Sequence, residues 1–342
     1  MAAITFLHWN IQTFSNNKLN NANGQALIDY IAQIIHLTGA NMVSLLELKN
    51  NAVANIMAQL IPAINLANGV AAAANQWQWI FLNSTKNNEA YVVLWEGGHN
   101  FVYRTPAAGG IIPIMGLTNQ TLVGGVPGGV LRFNSGLTQN GGRRPYYLSF
   151  RTTDTLLNFT IVSYHTMFGF WSPVGVRSIG RLAQSRAISD AGATINMDTS
   201  LTCGDFNVDF NNFPLDYQNL TNISSAATNQ RTSLVANTPP GGFPTSPQYR
   251  ANAYDNVFHY DVNGLPPAGG GFVPDLILES TTPPPAGVGT GLLANEAGNF
   301  VAGPIPAGHL IQNIPPDDFE DSWHIVRHAI SDHLPVYVNV VI

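Results

Sequence analysis

The chain ends on ISDHLPVYVNVVI (residues 330–342), a stretch in which a strand pattern directly follows an Asp–His pair. Alternate residues from Val336 to Val340 are valine, which is typical of a strand with one buried face. Pro335 lies at the start of this strand, where a missing N–H donor does little harm. Charged residues are rare in this chain, and the place of Asp332 and His333 immediately before a buried strand indicates side chains positioned for a function.

Similar patterns continue through both halves of the sequence. ITFLHWNIQTF (4–14) is largely apolar on both faces, which predicts a strand covered on both sides. GQALIDYIAQIIHLTG (24–39) has helical spacing and stops at Gly39, and further helices are predicted at 52–64 and from about 174 to 193. The other predicted strands are ANMVSLLELKN (40–50), QWQWIFLN (76–83), AYVVLW (90–95), PYYLSFRT (145–152), LNFTIVSYHT (157–166) and SLTCGDFNVDF (200–210).

Gly- and Pro-rich segments interrupt this pattern at about 97–145 and 262–316. Neither has a fixed period, so we interpret them as insert loops on one core and not as repeats or linkers. The mixture of strands and helices favours an α/β (α+β) fold in which two β-sheets pack face to face with helices outside. We therefore predict a single domain over residues 1–342, with specificity or partner contacts in the inserts.

The composition combines a large apolar fraction with very little charge. Hydrophobic residues make up 45% and charged residues 10%, against a usual charged fraction of about 25%. The net charge is −6 and no basic block occurs, so any polyanion must be held locally, by a few Arg or by metal. The single Cys203 excludes an intramolecular disulfide. Residues 1–14 lack a signal-peptide pattern and no segment is apolar enough to span a membrane, so we expect a soluble protein, cytoplasmic or exported by a non-classical route.

The uncommon polar residues collect at the ends of predicted strands. Only six Glu occur, and Glu47 and Glu89 lie inside hydrophobic runs, where a carboxylate is costly unless it meets a cation or strong donors. Taken singly, each polar residue has an ordinary explanation, such as a rim charge, a turn or a strand start. Those explanations account poorly for the set as a whole. Its members are Asn10, Glu47, Glu89, His165, Asp205, Asn207, Asp255, Asp332 and His333.

Seven short motifs carry a resemblance that spans Asn10 to His333. In chain order they are WNIQTF, LLELK, NEAYVVLW, SYHT, GDFN, AYDNVF and SDHLPV. This series resembles that of the endonuclease/exonuclease/phosphatase superfamily, and is most similar to its deoxyribonuclease I-like members and the catalytic subunit of cytolethal distending toxin. The inositol-phosphatase branch fits less well, whereas sphingomyelinases share the same metal and histidine set. The resemblance implies a four-layer sandwich of two mixed sheets with helices outside and a site at one edge.

The resemblance also implies a divalent-metal site. Hydrolysis of a phosphodiester needs positive charge and proton transfer, and hard oxygen ligands suit Mg²⁺ or Mn²⁺. By match to the family, Glu47 is the primary metal ligand, with Asn10 and Asp332 nearby. Asp205 and Asn207 are expected to orient the attacking water or the phosphate, and to hold a second metal if there is one.

Two histidine–carboxylate pairs follow from the same match. His333 is expected to pair with Asp255, and His165 with Glu89, each carboxylate fixing a tautomer and stabilising the imidazolium. Both histidines belong to the predicted catalytic set. Which of them acts as acid and which as base is left open.

Phosphate contacts are expected from three basic residues. Arg143 and Arg144, in GGRRPYY, lie where the family often has a basic residue before a strand. Leu46 and Lys49 stand where deoxyribonuclease I has Gln and Arg, so a groove or phosphate contact is altered there. Lys49 is the third predicted phosphate contact.

These features predict a divalent-metal-dependent phosphodiesterase, first of all a DNA endonuclease of low sequence specificity, because the chain has no recognition module or basic helix. The alternative is a phosphoesterase of phosphoinositide or phospholipid head groups, including sphingomyelinase-like activity. A non-catalytic binding protein is a third reading, against which the complete set of site residues argues. We expect a monomer that contacts the DNA phosphate backbone, with an inhibitor protein as partner if the protein is a toxin.

Overall fold

The structure is a computed structural model of the chain, and it describes the greater part of the residues outside the two inserts. The described residues are 3–20, 24–83, 88–97, 101–103, 128–130, 143, 145–152, 158–169, 172–184, 187–190, 193–196, 199–234, 250–261, 271, 273, 327 and 330–341. Most of the two Gly- and Pro-rich inserts, together with Arg144, lies outside this set. The single domain over residues 1–342 stays a prediction.

Strands and helices alternate along the described residues. The strands are β1 Ala3–Phe14, β2 Met42–Lys49, β3 Gln78–Asn83, β4 Glu89–Trp95, β5 Phe101–Tyr103, β6 Gly128–Val130, β7 Tyr146–Thr152, β8 Asn158–Ser163, β9 Ala187–Asp190, β10 Ala193–Asn196, β11 Thr199–Asp205, β12 Ser225–Ala226, β13 Asp255–Asp261 and β14 Val336–Val341. The helices are α1 Asn16–Asn20, α2 Gly24–Leu37, α3 Val53–Ala67, α4 Ser172–Gln184 and α5 Gln218–Thr221, with 3₁₀ turns at Ala73–Asn75 and Pro214–Tyr217.

The first sheet has five strands in the order β14-β1-β2-β4-β3. β1 pairs parallel with β2 and antiparallel with β14, so the first and last strands of the chain are neighbours. The predicted alternation of β14 is confirmed, because Val336, Val338 and Val340 are buried. Within the described strands β14 lies at the edge of the sheet.

The second sheet has seven strands in the order β12-β13-β11-β8-β7-β5, with β6 also paired to β7. β8 and β11 run parallel, while β13 runs antiparallel to β11. The helix predicted from about 174 to 193 is shorter, since α4 ends at Gln184 and β9 and β10 pair as a small separate sheet.

The predicted four-layer sandwich is confirmed. The two sheets pack face to face through aromatic contacts such as Tyr91 with Tyr146, whose ring centroids are 4.7 Å apart. The α2 and α3 side chains belong to the same apolar core as the first sheet. On the outer face of the second sheet a separate apolar cluster joins Val176 of α4 to Phe206 and Phe258. Among the described residues no helix is long and apolar enough to cross a membrane.

Candidate active site

Two irregular strands position the first part of the site. The β1–β2 register shifts between Asn10 and Phe14, and the β2–β4 register shifts between Leu45 and Leu48. Thr13 and Glu47 adopt left-handed backbone conformations there, with φ of 49° and 63°. Such conformations cost about 1–3 kcal/mol each and are found where a strand must re-aim a side chain. The Thr13 N–H accordingly donates to Glu47 Oε2 at 3.1 Å.

Asn10 joins this bulge to the second sheet. Its Nδ2 donates to Glu47 Oε1 at 3.1 Å and to Asp205 Oδ2 at 3.0 Å, so one amide lies between two carboxylates. Its Oδ1 is buried and makes no hydrogen bond with any described residue. A buried amide oxygen without a donor is unusual and calls for a ligand that the protein itself does not supply.

The GDFN motif forms the end of β11 and the turn beyond it. Asp205 is buried, and its Oδ1 accepts the Asn207 N–H at 2.9 Å. Asn207 has a left-handed φ of 48°, which asparagine tolerates better than most residues, and its Nδ2 donates to the Thr166 carbonyl at 3.1 Å. The turn therefore fixes Asn207 beside the loop that follows β8.

The predicted pair of His333 and Asp255 is present, and it is tight. The Nδ1 of His333 lies 2.6 Å from Asp255 Oδ2, which also accepts a hydrogen bond from the Thr232 hydroxyl at 2.8 Å. Burial alone would lower the pKa of His333, but Asp255 and Asp205 outweigh it and hold the pKa well above its usual value. The same attraction to His333 overcomes the effect of burial on Asp255 and holds the pKa of that carboxyl low.

The free ring edge of His333 faces further carboxylates. Its Nε2 lies 3.7 Å from Asp205 Oδ2 and 3.7 Å from Asp332 Oδ1. Asp332 is in turn held by Gln12, whose Nε2 donates to Oδ2 at 3.1 Å. The loop before β14 is tied down by the Trp9 indole N–H, which donates to the His333 carbonyl at 2.8 Å. The Asp–His pair at the end of the chain is thus aimed into the cluster by β1.

The predicted pair of His165 and Glu89 is present as a close approach without a hydrogen bond. Glu89 is bonded to Arg143, whose Nε and Nη2 donate to its two carboxylate oxygens at 2.8 and 3.0 Å. His165 Nδ1 lies 3.7 Å from Glu89 and is buried without a hydrogen bond, while Arg143 Nη1 lies 3.0 Å from His165 Nε2. Burial and the Arg143 charge lower the pKa of His165 to about 3, so the ring is neutral and not the predicted imidazolium.

The predicted phosphate contacts change for the same reason. Arg143 donates three hydrogen bonds, two to Glu89 and one to the Thr166 carbonyl, and so braces the site, while its contact with phosphate stays a prediction. Lys49 Nζ lies 3.8 Å from Glu89 Oε1 and belongs to the same charge group. Arg144 lies outside the described residues.

Comparison of the sequence with family models and with curated proteins finds no match. Solved structures do match over nearly the whole chain. An endonuclease/exonuclease/phosphatase family protein from Bacteroides thetaiotaomicron is 13% identical with a TM-score of 0.51, over 99% of this chain and 94% of that one. A mannosyl-6-phosphatase from the same species is 12% identical with a TM-score of 0.53, over 99% and 100%. The chain has the fold of the endonuclease/exonuclease/phosphatase superfamily.

The superfamily fold also recurs in a protein crystallised with nucleic acid. D. rerio TDP2, solved in complex with a single strand DNA product, is 10% identical with a TM-score of 0.50, over the whole of both chains. At such identities these likenesses concern the fold. What the site does must be argued from its own residues.

The donor set fits a hard divalent cation, the kind of ion that the superfamily fold implies. The side chains of Glu47, His165 and Asp205 bring one ligand atom each to within 4.8 Å of one another, as do those of Asp205, Asp255 and His333. Burial, followed by the nearby Asp255 and Glu47, raises the pKa of Asp205 to about 7 against the opposing effect of His333. The Asp205 carboxylate is costly to ionise, and the neighbouring Asn10 Oδ1 lacks a hydrogen-bond donor among the described residues. A bound cation would lower the cost of ionising the carboxylate and would give the amide oxygen a partner.

Several positioning residues were not predicted from the sequence. Gln12 was recognisable in principle, because it lies two residues from Asn10 on the same face of β1. Thr232 gave no signal, since it lies in a loop without a motif and reaches Asp255 only in the folded chain. His8 is fully buried on the Asn10 face of β1, and its Nε2 lies 3.7 Å from Asp255 Oδ1.

Proposed function

We propose that the protein is a divalent-metal-dependent phosphodiesterase, and first of all a DNA endonuclease of low sequence specificity. The observation that carries this proposal is the bridge that the Asn10 amide makes between Glu47 and Asp205. It gathers hard oxygen donors from both sheets at one edge of the sandwich. The pair of His333 and Asp255 lies beside the same Asp205 carboxylate and adds a proton donor.

Glu47 is proposed as the primary ligand of Mg²⁺ or Mn²⁺, with the unbonded Oδ1 of Asn10 and the carboxylate of Asp205 beside it and Asp332 further along the cluster. When bound, such an ion supplies positive charge for the non-bridging phosphate oxygens and lowers the pKa of coordinated water. The backbone strain at Glu47 supports this assignment, because a left-handed Glu in a buried strand is costly to keep for a merely structural role.

His333 is proposed as the group that donates to the scissile phosphate or to the leaving oxygen. Asp255 holds its Nδ1 and thereby fixes the ring, so that the Nε2 edge points at Asp205 and Asp332. Because the pKa of His333 is raised, the ring is protonated near neutral pH and carries a proton on Nε2. Preorganised donors of this kind typically contribute a factor of about 10²–10⁴ in rate.

Asp205 and Asn207 are proposed to orient the attacking water. A cation bound beside Asp205 would offset the burial that raises the pKa of this carboxyl, and so would keep the carboxylate in the ionised form that can accept a hydrogen bond from water. Asn207 is held by Thr166, so its position is fixed before substrate binds. His165, being neutral, accepts from Arg143 at Nε2, and it is proposed to hold that cation beside Glu47 and Asp205, whose oxygens lie 3.5 and 3.4 Å from the same nitrogen.

The proposal is tested by assaying the purified protein on supercoiled plasmid DNA with Mg²⁺ or Mn²⁺, with EDTA, and as the His333→Ala variant. Nicking that requires metal and falls at least 10²-fold in the variant is the expected result. Phosphate or head-group release should be measured in parallel from phosphoinositides, sphingomyelin and sugar phosphates. Metal-dependent release from one of these, without plasmid nicking, would overturn the endonuclease proposal in favour of the head-group alternative or of a sugar phosphatase.

A further inference from the structure

An open cavity of about 280 Å³ adjoins the candidate active site at Asn207. Phe168 and Phe213 line it, and they are 75% and 57% exposed, although aromatic side chains of this size are usually covered. Tyr254 and the side-chain amides of Asn207 and Asn212 also line the cavity. We call these five residues the aromatic groove.

The loops of the aromatic groove are those that carry the site. Phe168 follows His165 by three residues, Tyr254 directly precedes Asp255, and Asn207 belongs to both the groove and the site. A ligand lying in the groove is therefore continuous with a phosphate held at Asp205. The groove is a place for the part of a substrate next to the scissile bond.

The groove is preformed. Asp209, which also lines the cavity, accepts the Asn211 N–H at 3.1 Å and the Asn212 side-chain amide at 2.5 Å, which fixes the loop that ends at Phe213. The Tyr217 hydroxyl donates to the Val208 carbonyl of the same loop at 2.6 Å. A rigid loop that presents an exposed ring loses little conformational entropy when a ligand binds. The exposure of Phe213 is therefore better explained by ligand binding than by an exposed ring without a function.

The geometry points to an unpaired nucleobase as the occupant, next to the cleaved phosphate of a single strand or a frayed end. This inference rests on the proposed phosphodiesterase function and names its substrate class. Exposed aromatic rings stack on bases of any sequence, and amide side chains hydrogen-bond to base edges. No described residue donates to the amide oxygens of Asn207 and Asn212, which leaves two acceptors at the groove for exocyclic amino groups.

A sugar and a lipid surface fit the groove less well. Sugar diols are commonly bound by free carboxylates, but both oxygens of Asp209 are already bonded within the loop. A membrane contact would use a convex apolar surface, whereas Phe168 and Phe213 face a cavity with a polar wall, and the 79% exposed Leu215 does not line it. The volume, at the low end for ligand pockets, suits one base.

The test uses oligonucleotides with one natural phosphodiester and uncleavable methylphosphonate links elsewhere. Three versions carry all bases, lack the base 5′ to the phosphodiester, or lack the base 3′ to it. Their affinities are measured by calorimetry in EDTA for the wild type, Phe168→Ala and Phe213→Ala, with Leu215→Ala as the exposed apolar control. We expect the wild type to bind one base-free version about 5- to 150-fold more weakly than the complete strand.

The two Phe variants should lose a similar factor on the complete strand and nothing on that base-free version, while Leu215→Ala behaves as wild type. Equal losses on all strands, or no measurable binding of any, would overturn the inference. Binding of phosphatidylcholine vesicles that all three variants weaken, without base dependence, would overturn it in favour of a lipid contact. Cleavage in Mg²⁺ is scored separately: a wild type that binds bases but cuts none of the strands contradicts the proposed function and leaves the groove assignment standing.

Discussion

Replacing Glu89 by Gln removes the carboxylate that Arg143 binds with two hydrogen bonds, of 2.8 and 3.0 Å. Both side chains are largely buried, with exposures of 7% and 12%. The Gln oxygen still accepts one of the two hydrogen bonds, but the other is lost and the guanidinium is left without its counter-charge. The reverse change, Arg143→Met, leaves Glu89 with Lys49 at 3.8 Å as its cation.

The expected cost follows from this geometry. One charge-assisted hydrogen bond contributes about 1.5–3 kcal/mol, and breaking a buried ion pair from one side costs about 3–5 kcal/mol. The hydrogen bond retained in Glu89→Gln, and the remaining cation Lys49 at 3.8 Å in Arg143→Met, place each single variant about 2–3 kcal/mol below wild type in free energy of unfolding. In the double variant neither charge remains, so it should be no less stable than either single variant, with a coupling energy of about 2 kcal/mol.

Urea unfolding of the four proteins in EDTA, followed by circular dichroism, measures this cycle. The exposed pair Arg177–Asp216, with an N–O distance of 2.9 Å, is the matched control, and its own Met/Asn cycle should give about 0.2–1 kcal/mol of coupling. Additive losses for Glu89→Gln and Arg143→Met, or a coupling no larger than that of the control pair, would show that Arg143 does not hold Glu89. The bracing role assigned to this pair would then be abandoned.

Three further outcomes are expected. Glu47→Ala should stay folded but lose at least 10²-fold in metal-supported kcat, and EDTA should abolish wild-type activity; near-normal rates in Mg²⁺ would remove Glu47 from the metal site. In metal-free protein the pair of Asp255 and His333 should stabilise the fold most between about pH 4 and 6.5, because the lowered Asp pKa contributes above about 4 and the raised His pKa contributes below about 6.5. Asp255→Asn should flatten that pH dependence of unfolding, and an unchanged profile would count against the pair. The slope of log K against log salt for DNA should be about −2 to −4, since few cations face the site, and a slope near −8 would reveal a basic surface that we have not identified.

The fold could be predicted from the sequence because its signals are local. Alternation along β1 and β14 and helical spacing over α2 depend on residues that are close in the chain, and the structure reproduces them. The edge position of β14 could not be read in this way, because a strand covered on one face looks the same at an edge and in the middle of a sheet. The end of α4 was predicted too late for a related reason, because apolar residues continue beyond Gln184 into β9.

The residues of the candidate site were predictable from their position at strand ends, but their partners were not. Glu89 and His165 lie near each other as expected, yet Arg143 enters between them from the end of an insert, and no spacing rule anticipates which of three polar groups bond. The predicted sign of the His165 pKa shift was wrong because burial, followed by the Arg143 charge, outweighs the neighbouring carboxylates on which the prediction relied. A pKa depends on contacts across the fold, and motif order alone does not provide them.

The balance of charge within the cluster indicates where a cation belongs. Asp255 has His333 at 2.6 Å and Glu89 has Arg143 at 2.8 Å, so these two carboxylates are compensated by protein cations. Glu47 and Asp205 receive their hydrogen bonds from neutral donors, the Asn10 amide and the N–H groups of Thr13 and Asn207. Burial raises the pKa of Asp205 to about 7, so its carboxylate is costly to ionise without a further cation beside it. A divalent cation held by Glu47 and Asp205 would relieve that cost and would supply the positive charge that the proposed catalysis needs.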